Sequence, residues 1–323
     1  MTKNKRYPQI KIRSKNELAK HLSGKKLLFE EALKLINDVI QNYDSYWKDS
    51  NSSEPKKNKY VRSAINTPLG KLLKLIDRKI LAPHDNKIPE FIFGGIKGRN
   101  HIDASYSLLG KRRKRVLYKT DLKRFFEQIS INRVSYFFHK KCGCSKKASE
   151  LLANLCCVKL GSKGTQETDK VLTRGFSTSP RLAVWCNLDI FLRLSWRIKK
   201  ILRGHDPRLA IYVDDIGVTG SRIDKDKIKS LANNIKNILL NFDANQELKI
   251  NERKTGWKKF NKGVEHLGVE LGRNKLGLGG KTKAKFHKVN LLLKKGNRSD
   301  KILRIKKGLS VYKNQLKKLA PLM

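Results

Sequence analysis

The stretch that most constrains this chain is Ile211-Tyr212-Val213-Asp214-Asp215-Ile216, with Gly217, Gly220 and Ser221 just beyond it. Ile211, Val213 and Ile216 favour extended backbone, and glycine and serine favour a reversal. Leu209–Thr219 therefore reads as a β-hairpin with two aspartates at its tip. Two carboxylates held together repel unless a cation lies between them, and hard oxygen ligands suit Mg²⁺. On its own such a pair would also suit a surface turn. A third aspartate in a similar setting upstream changes that reading. Asp121 ends the strand candidate Arg115–Lys119 and precedes Leu122-Lys123-Arg124-Phe125-Phe126. Three aspartates delivered by two strands are what two-metal phosphoryl transfer requires. No Ser/His/Asp or Cys/His set competes with them.

Charge then bounds the partner. The 323 residues carry 73 Lys and Arg against 28 Asp and Glu, a formal net charge of +45. That excess far exceeds what solubility needs and predicts a polyanion, in this case nucleic acid. No apolar run approaches the ~20 residues of a membrane span, so no membrane partner is expected. Met1–Ile12 is basic and lacks a signal-peptide core, so a cytoplasmic location is expected. Five cysteines fit a reducing compartment. Cys142, Cys144, Cys156 and Cys157 offer four thiolates, but their spacing is not that of a zinc site. Core packing is the reading, with zinc as the alternative.

Along the chain, Leu27–Tyr46 has a wide apolar stripe at helical spacing, and Asp49–Asn58 is a polar loop. Thr67-Pro68 opens a helix that Ala82-Pro83 stops. Phe91–Asn100, FIFGGIKGRN, reads as a basic glycine loop able to lie against phosphates through Lys97 and Arg99. Asn132 and Ser145 are candidate caps for helices over Arg133–Lys141 and Lys146–Lys159. Pro180 opens one long helix to Arg203, ended by Gly204. Asp224–Phe242 is an amphipathic basic helix, and short strands over Leu248–Ile250 and Val264–Leu271 flank Lys254. Lys281–Met323 has 14 Lys and Arg and one acid, Asp300, and reads as two or three small basic helices facing nucleic acid.

Six motifs, in order, give the chain a resemblance to bacterial reverse transcriptases of the retron and phage-defence type. They are Gly94–Asn100 for the fingers, Asp121–Phe126 for the first catalytic motif, and Arg174-Gly175-Phe176-Ser177-Thr178-Ser179-Pro180 under the incoming nucleotide. Tyr212-Val213-Asp214-Asp215 resembles the catalytic hairpin, Asn251–Thr255 the lysine motif, and Leu267–Leu271 the primer grip. The resemblance covers roughly residues 60–275 and implies an α+β right-hand polymerase. Its parts would be an N-terminal helical extension (1–58), fingers (59–113), a ferredoxin-like βαββαβ palm with inserted finger helices (114–280) and a small helical basic thumb (281–323).

The resemblance also implies roles. Asp121 and Asp214 would be principal ligands of two Mg²⁺ ions, or Mn²⁺, with Asp215 assisting and the Leu122 carbonyl completing the shell. Phe126 would exclude a ribose 2′-hydroxyl. Lys254 would protonate pyrophosphate, Arg174 and Gly175 would lie at the nucleotide, and Lys97 and Arg99 at template or triphosphate. The implied partners are dNTPs, a structured noncoding RNA serving as template, its DNA product, and an effector protein or a second copy. The implied setting is antiviral defence. The chain also departs from the family pattern. Arg174 stands where glutamine is usual, Asp103-Ala104-Ser105-Tyr106-Ser107 replaces N-A-x-x-H, no V-T-G precedes the thumb, and the fingers hairpin is reduced to Lys59–Pro68. Template-restricted or untemplated synthesis on the same palm, RNA synthesis, and a silent RNA-binding scaffold are the alternatives.

Overall fold

The computed structural model of the protein describes residues 6–242, 247–260 and 263–319. Residues 1–5 of the basic Met1–Ile12 stretch and residues 320–323 of the C-terminal segment lie outside the described residues. Helices α1 (Lys15–Leu22) and α2 (Phe29–Gln41) open the chain, followed by the paired strands β1 (Lys48–Asp49) and β2 (Arg62–Ser63). Thr67 caps α3 (Pro68–Leu75), its hydroxyl accepting from the Gly70 N–H, with proline in the first turn as expected. Beyond Leu75 the winding loosens over Ile76–Leu81 and then tightens over Ala82–Lys87, where the stop was expected. Asn100 caps α4 (His101–Ser107), closing a reciprocal box with Asp103.

The centre is an antiparallel sheet. Strand β3 (Arg115–Asp121) leads into α5 (Ile131–Tyr136), α6 (Lys146–Cys156), the β4 (Cys157–Lys159) and β5 (Lys170–Leu172) pair, α7 (Ser179–Cys186) and α8 (Leu188–Ile201). Strands β6 (Arg208–Tyr212) and β7 (Asp215–Ser221) follow, then α9 (Lys225–Asn241) and β8 (Gly256–Lys259). The spatial order is β6-β7-β3-β8, every neighbour antiparallel. Taken as a βαββαβ unit, this is the ferredoxin-like order, fourth-first-third-second, that the resemblance implies. A smaller sheet of β9 (Val264–His266), β10 (Val269–Leu271) and β11 (Leu276–Leu278) lies beyond it. Two basic helices, α10 (Gly280–Lys294) and α11 (Asp300–Lys318), complete the described chain.

Strand alternation assigns the faces of the sheet. Register pairs Asp121 with Asp215, Lys119 with Gly217 and Leu117 with Thr219, so these residues share one face. There Leu117 joins a core with Val264 and Leu271. Tyr118, Ile216 and Val218 take the other face and share a core with Leu194 of α8 and with Leu231, Ile235 and Leu239 of α9. Both faces are thus covered, and the carboxylates emerge at one end. Helix α11 docks beside the sheet, where the Tyr312 ring stacks on His101 at 5.7 Å. No helix among the described residues is long and apolar enough to cross a membrane.

Several local expectations are corrected. The reversal is at Val213 and Asp214, between the Tyr212–Asp215 pair, while Gly217 and Gly220 lie inside β7. Ser130, not Asn132, caps α5, its hydroxyl accepting from the Arg133 N–H. The helix from Ser145 ends at Cys156, where Cys157 enters β4. The helix expected from Pro180 to Arg203 breaks at buried Asn187, whose side-chain amide donates to the Ala183 carbonyl. Leu248–Ile250 is no strand and makes one bridge, Leu122 with Ile250. The Val264–Leu271 stretch is a hairpin turning at Leu267-Gly268. The glycine loop is anchored at its start. Phe93 N–H donates to the Ile211 carbonyl and Ile211 N–H to the Phe91 carbonyl, both at 2.8 Å, which lays the loop along β6.

Candidate active site

The carboxylates converge because β3 and β7 end together. Asp121 is the last residue of β3 and Asp215 the first of β7. Asp214 sits in the two-residue turn, and its carbonyl accepts the Leu122 N–H at 2.8 Å. The Asn251 N–H donates to the Asp121 carbonyl at 2.7 Å. Val213 has φ +57°, costly for a β-branched residue and characteristic of strain held at a functional turn. Gly94 packs directly on the Val213 backbone, and a Cβ there would collide with it. That contact explains why a glycine loop precedes the hairpin in space.

One carboxylate oxygen from each of Asp121, Asp214 and Asp215 lies within 4.8 Å of the others. This is the one such grouping of three or more His, Cys, Asp or Glu among the described residues. Asp121 is 8% exposed and the other two are half-buried. Burial, with Asp121 adding to it, raises the Asp214 carboxyl. Burial, then Asp214 and Asp121, pushes the Asp215 carboxyl up to about 6. The cluster is electrostatically unfavourable by itself, and its three oxygens could hold a metal ion.

Other predicted residues gather round it. Lys254 Nζ lies 3.1 Å from Asp121 Oδ2, and Asn251 Nδ2 donates to the same oxygen at 3.2 Å. Arg174 Nη2 stands 3.8 Å from Asp214 Oδ2 and its Nε 3.9 Å from Glu127 Oε1. Its guanidinium carbon lies 5.9 Å from the Phe126 ring centroid. Gly175, at φ +100°, presses on the Arg62 carbonyl with no room for a side chain, while the Arg62 N–H donates to the Arg174 carbonyl at 2.8 Å. A cleft of about 430 Å³ opens from Asp121 and Asp215, walled by Lys119, Arg253, Lys254 and Trp257.

Two predicted residues take other positions. The Arg99 guanidinium donates to the carbonyls of Pro89, Ile92 and Ile88, which ties the loop together. Lys97 is exposed on the turn, and its N–H donates to Asp85 at 3.2 Å. Leu122 is buried and contributes backbone. The five cysteines are buried and unpaired. Burial pushes Cys144 up to about 11 and Cys156 up to about 12, against thiolate chemistry.

Sequence reasoning missed Glu127, Asn251 as a partner of Asp121, and Arg62, which is 2% exposed and paired with Asp49. It also missed Arg181, which joins Asp77 and Asp85 beneath the glycine loop. Position next to a motif was the only available signal for Glu127, and membership of the Asn251–Thr255 motif the signal for Asn251.

The description "reverse transcriptase (RNA-dependent DNA polymerase)" belongs to the family profile that matches residues 54–271. No curated protein matches the chain. Among solved structures, telomerase from Candida albicans in complex with the TWJ fragment of telomeric RNA aligns with a TM-score of 0.41 at 14% identity. That alignment covers 66% of this chain and 38% of the telomerase chain.

Proposed function

The chain belongs to the reverse transcriptase family, and from that premise we propose that it is an RNA-directed DNA polymerase that extends a 3′-hydroxyl with dNTPs. The observation that carries the reading is the convergence of Asp121, Asp214 and Asp215, oxygens within 4.8 Å of one another, inside the matched region. Asp121 and Asp214 are the principal ligands for Mg²⁺ or Mn²⁺, with Asp215 assisting and the Leu122 carbonyl completing the shell. Ions bound there supply positive charge to the attacking oxygen and to the departing phosphates.

The chain's own residues do the rest. The 3′-hydroxyl gives up its proton to solvent as its oxygen bonds to the α-phosphorus, the α–β phosphoanhydride breaks, and pyrophosphate leaves. Lys254, on the rim beside Asp121, gives the leaving group its proton. Arg174 and Gly175 border the triphosphate and sugar, and Lys97 reaches toward the template. Phe126, 8% exposed, would exclude a ribose 2′-hydroxyl. Residues 59–113 serve as fingers, 114–280 as palm and 281–323 as thumb, after an N-terminal extension.

The wider setting is an extension of the same reading. A net charge of +45 suits a dedicated structured noncoding RNA as template, and the motifs suit a retron-like or related phage-defence enzyme of the cytoplasm. An effector protein or a second copy would complete the system. The test is to purify the protein from its host and sequence the co-purifying nucleic acid after RNase or DNase treatment. RNA joined to or copied into complementary DNA is expected. Recovery of RNA with no DNA, and no dNTP incorporation on an RNA template, would overturn the reading.

A further inference from the structure

A second groove is lined by none of the three aspartates. It has a volume of about 700 Å³ and lies among Tyr7, Arg133, Tyr136, Trp185, Asp189 and Phe242. Trp185 is fully buried, and its indole N–H makes no hydrogen bond among the described residues. At the rim Tyr136 is 54% and Phe242 42% exposed. Lys141 lies over the rings of Tyr7 and Tyr136.

Asp189, at the start of α8, lines the groove, and a row of exposed residues follows it along that helix. Asp189, Arg193, Trp196 and Lys200 follow at steps of four, three and four, so they share one helix face. Trp196 is 50% exposed. Arg193 and Lys200 lie 4.8 Å and 5.4 Å from its ring centroid. The one acid on the track, Asp189, is neutralised by Lys141 at 2.8 Å and Arg6 at 3.7 Å. Exposed rings alternating with cations are what unpaired nucleotides need, because bases stack on the rings and phosphates meet the cations. A duplex offers no free base faces to such rings. Helix α8 packs on the sheet face opposite Asp121 and Asp215, so this track is separate from the cleft.

We propose that this groove and the outer face of α8 form a second nucleic-acid site, which holds an unpaired stretch of RNA outside the catalytic cleft. The choice of RNA over DNA rests on the reading that RNA is the strand this polymerase keeps. Arg193 and Lys200 would release the Trp196 ring, since such contacts are weak at exposed sites, and would then pair with flanking phosphates.

The test uses the full chain with its cleft occupied by an unlabelled RNA/DNA primer–template. A fluorescein-labelled, unstructured single-stranded RNA is titrated in, with single-stranded DNA of the same sequence in parallel. Trp196→Ala should weaken RNA binding about tenfold, as loss of one stacked base does. Trp196→Phe should retain most of the affinity, and Arg193→Gln with Lys200→Gln should flatten the salt dependence. Crosslinks from 4-thiouridine RNA should map to peptides holding Trp196 or Tyr136. Unchanged affinity in Trp196→Ala with crosslinks elsewhere would overturn the site, as would binding restricted to a protein partner. Equal or tighter DNA binding would overturn the RNA assignment. Primer extension should be unchanged in Trp196→Ala. If wild-type protein extends nothing while Trp196-dependent RNA binding persists, the polymerase reading fails and this site stands.

Discussion

Asp215→Asn should make the metal-free protein more stable while impairing synthesis. The Asp215 carboxyl moves from an ordinary 3.8 to about 6 through burial and two neighbouring carboxylates. At 1.36 kcal/mol per tenfold change in acidity, full weight would be about 3 kcal/mol, and partial exposure reduces it to roughly 1–3 kcal/mol. The folded carboxyl holds its proton more tightly than the unfolded one. The cost of ionising it therefore builds as pH rises from about 4 to about 6, and is complete above that. Asparagine removes the cost. Thermal or urea unfolding in EDTA should show the variant ahead by a few degrees at pH 8, with the gap closing as pH approaches 4. Mg²⁺ should then stabilise wild type more than the variant, because bound cations offset the repulsion. A variant less stable than wild type at pH 8, or a gap independent of pH, would refute the electrostatic account of the cluster.

Other perturbations separate the remaining roles. Arg174→Gln and Glu127→Gln should each raise KM for dNTPs with a smaller effect on kcat, because Glu127 holds Arg174 beside Phe126 and Asp214; equal losses in kcat alone, measured by steady-state incorporation, would contradict this. Phe126→Ala should raise rNTP incorporation relative to dNTP by roughly 10–200-fold, the range for one steric contact in a pocket, and single-nucleotide insertion assays read it directly. Arg181→Ala should destabilise the fold by up to about 3 kcal/mol, because it leaves the half-buried carboxylates of Asp77 and Asp85 without their shared cation; chemical denaturation measures the loss.

Asp214 and Asp215 were legible because they follow the apolar run up to Val213, and Asp121 because it closes a strand candidate just before two aromatics. Phe126 was legible by its place after Asp121. Strand β8 was not, since Lys258 and Lys259 are exposed at the sheet edge and its sequence shows no alternation of apolar residues. Nor was the break at Asn187, which depends on a buried amide finding the Ala183 carbonyl. The charge of the glycine loop is visible in sequence, and the close approach of Gly94 to Val213 is not. Arg99 misled for the same reason, its guanidinium meeting carbonyls brought together only by the fold.

The most direct measurement of the central claim is dNTP incorporation on an RNA template by the Asp121→Asn, Asp214→Asn double variant, in Mg²⁺ and in Mn²⁺. Loss of several kcal/mol of charge stabilisation should lower the rate by roughly three orders of magnitude or more, with the fold intact by circular dichroism. Strand extension by the folded double variant at a rate near wild type would contradict the claim that these carboxylates organise the chemistry.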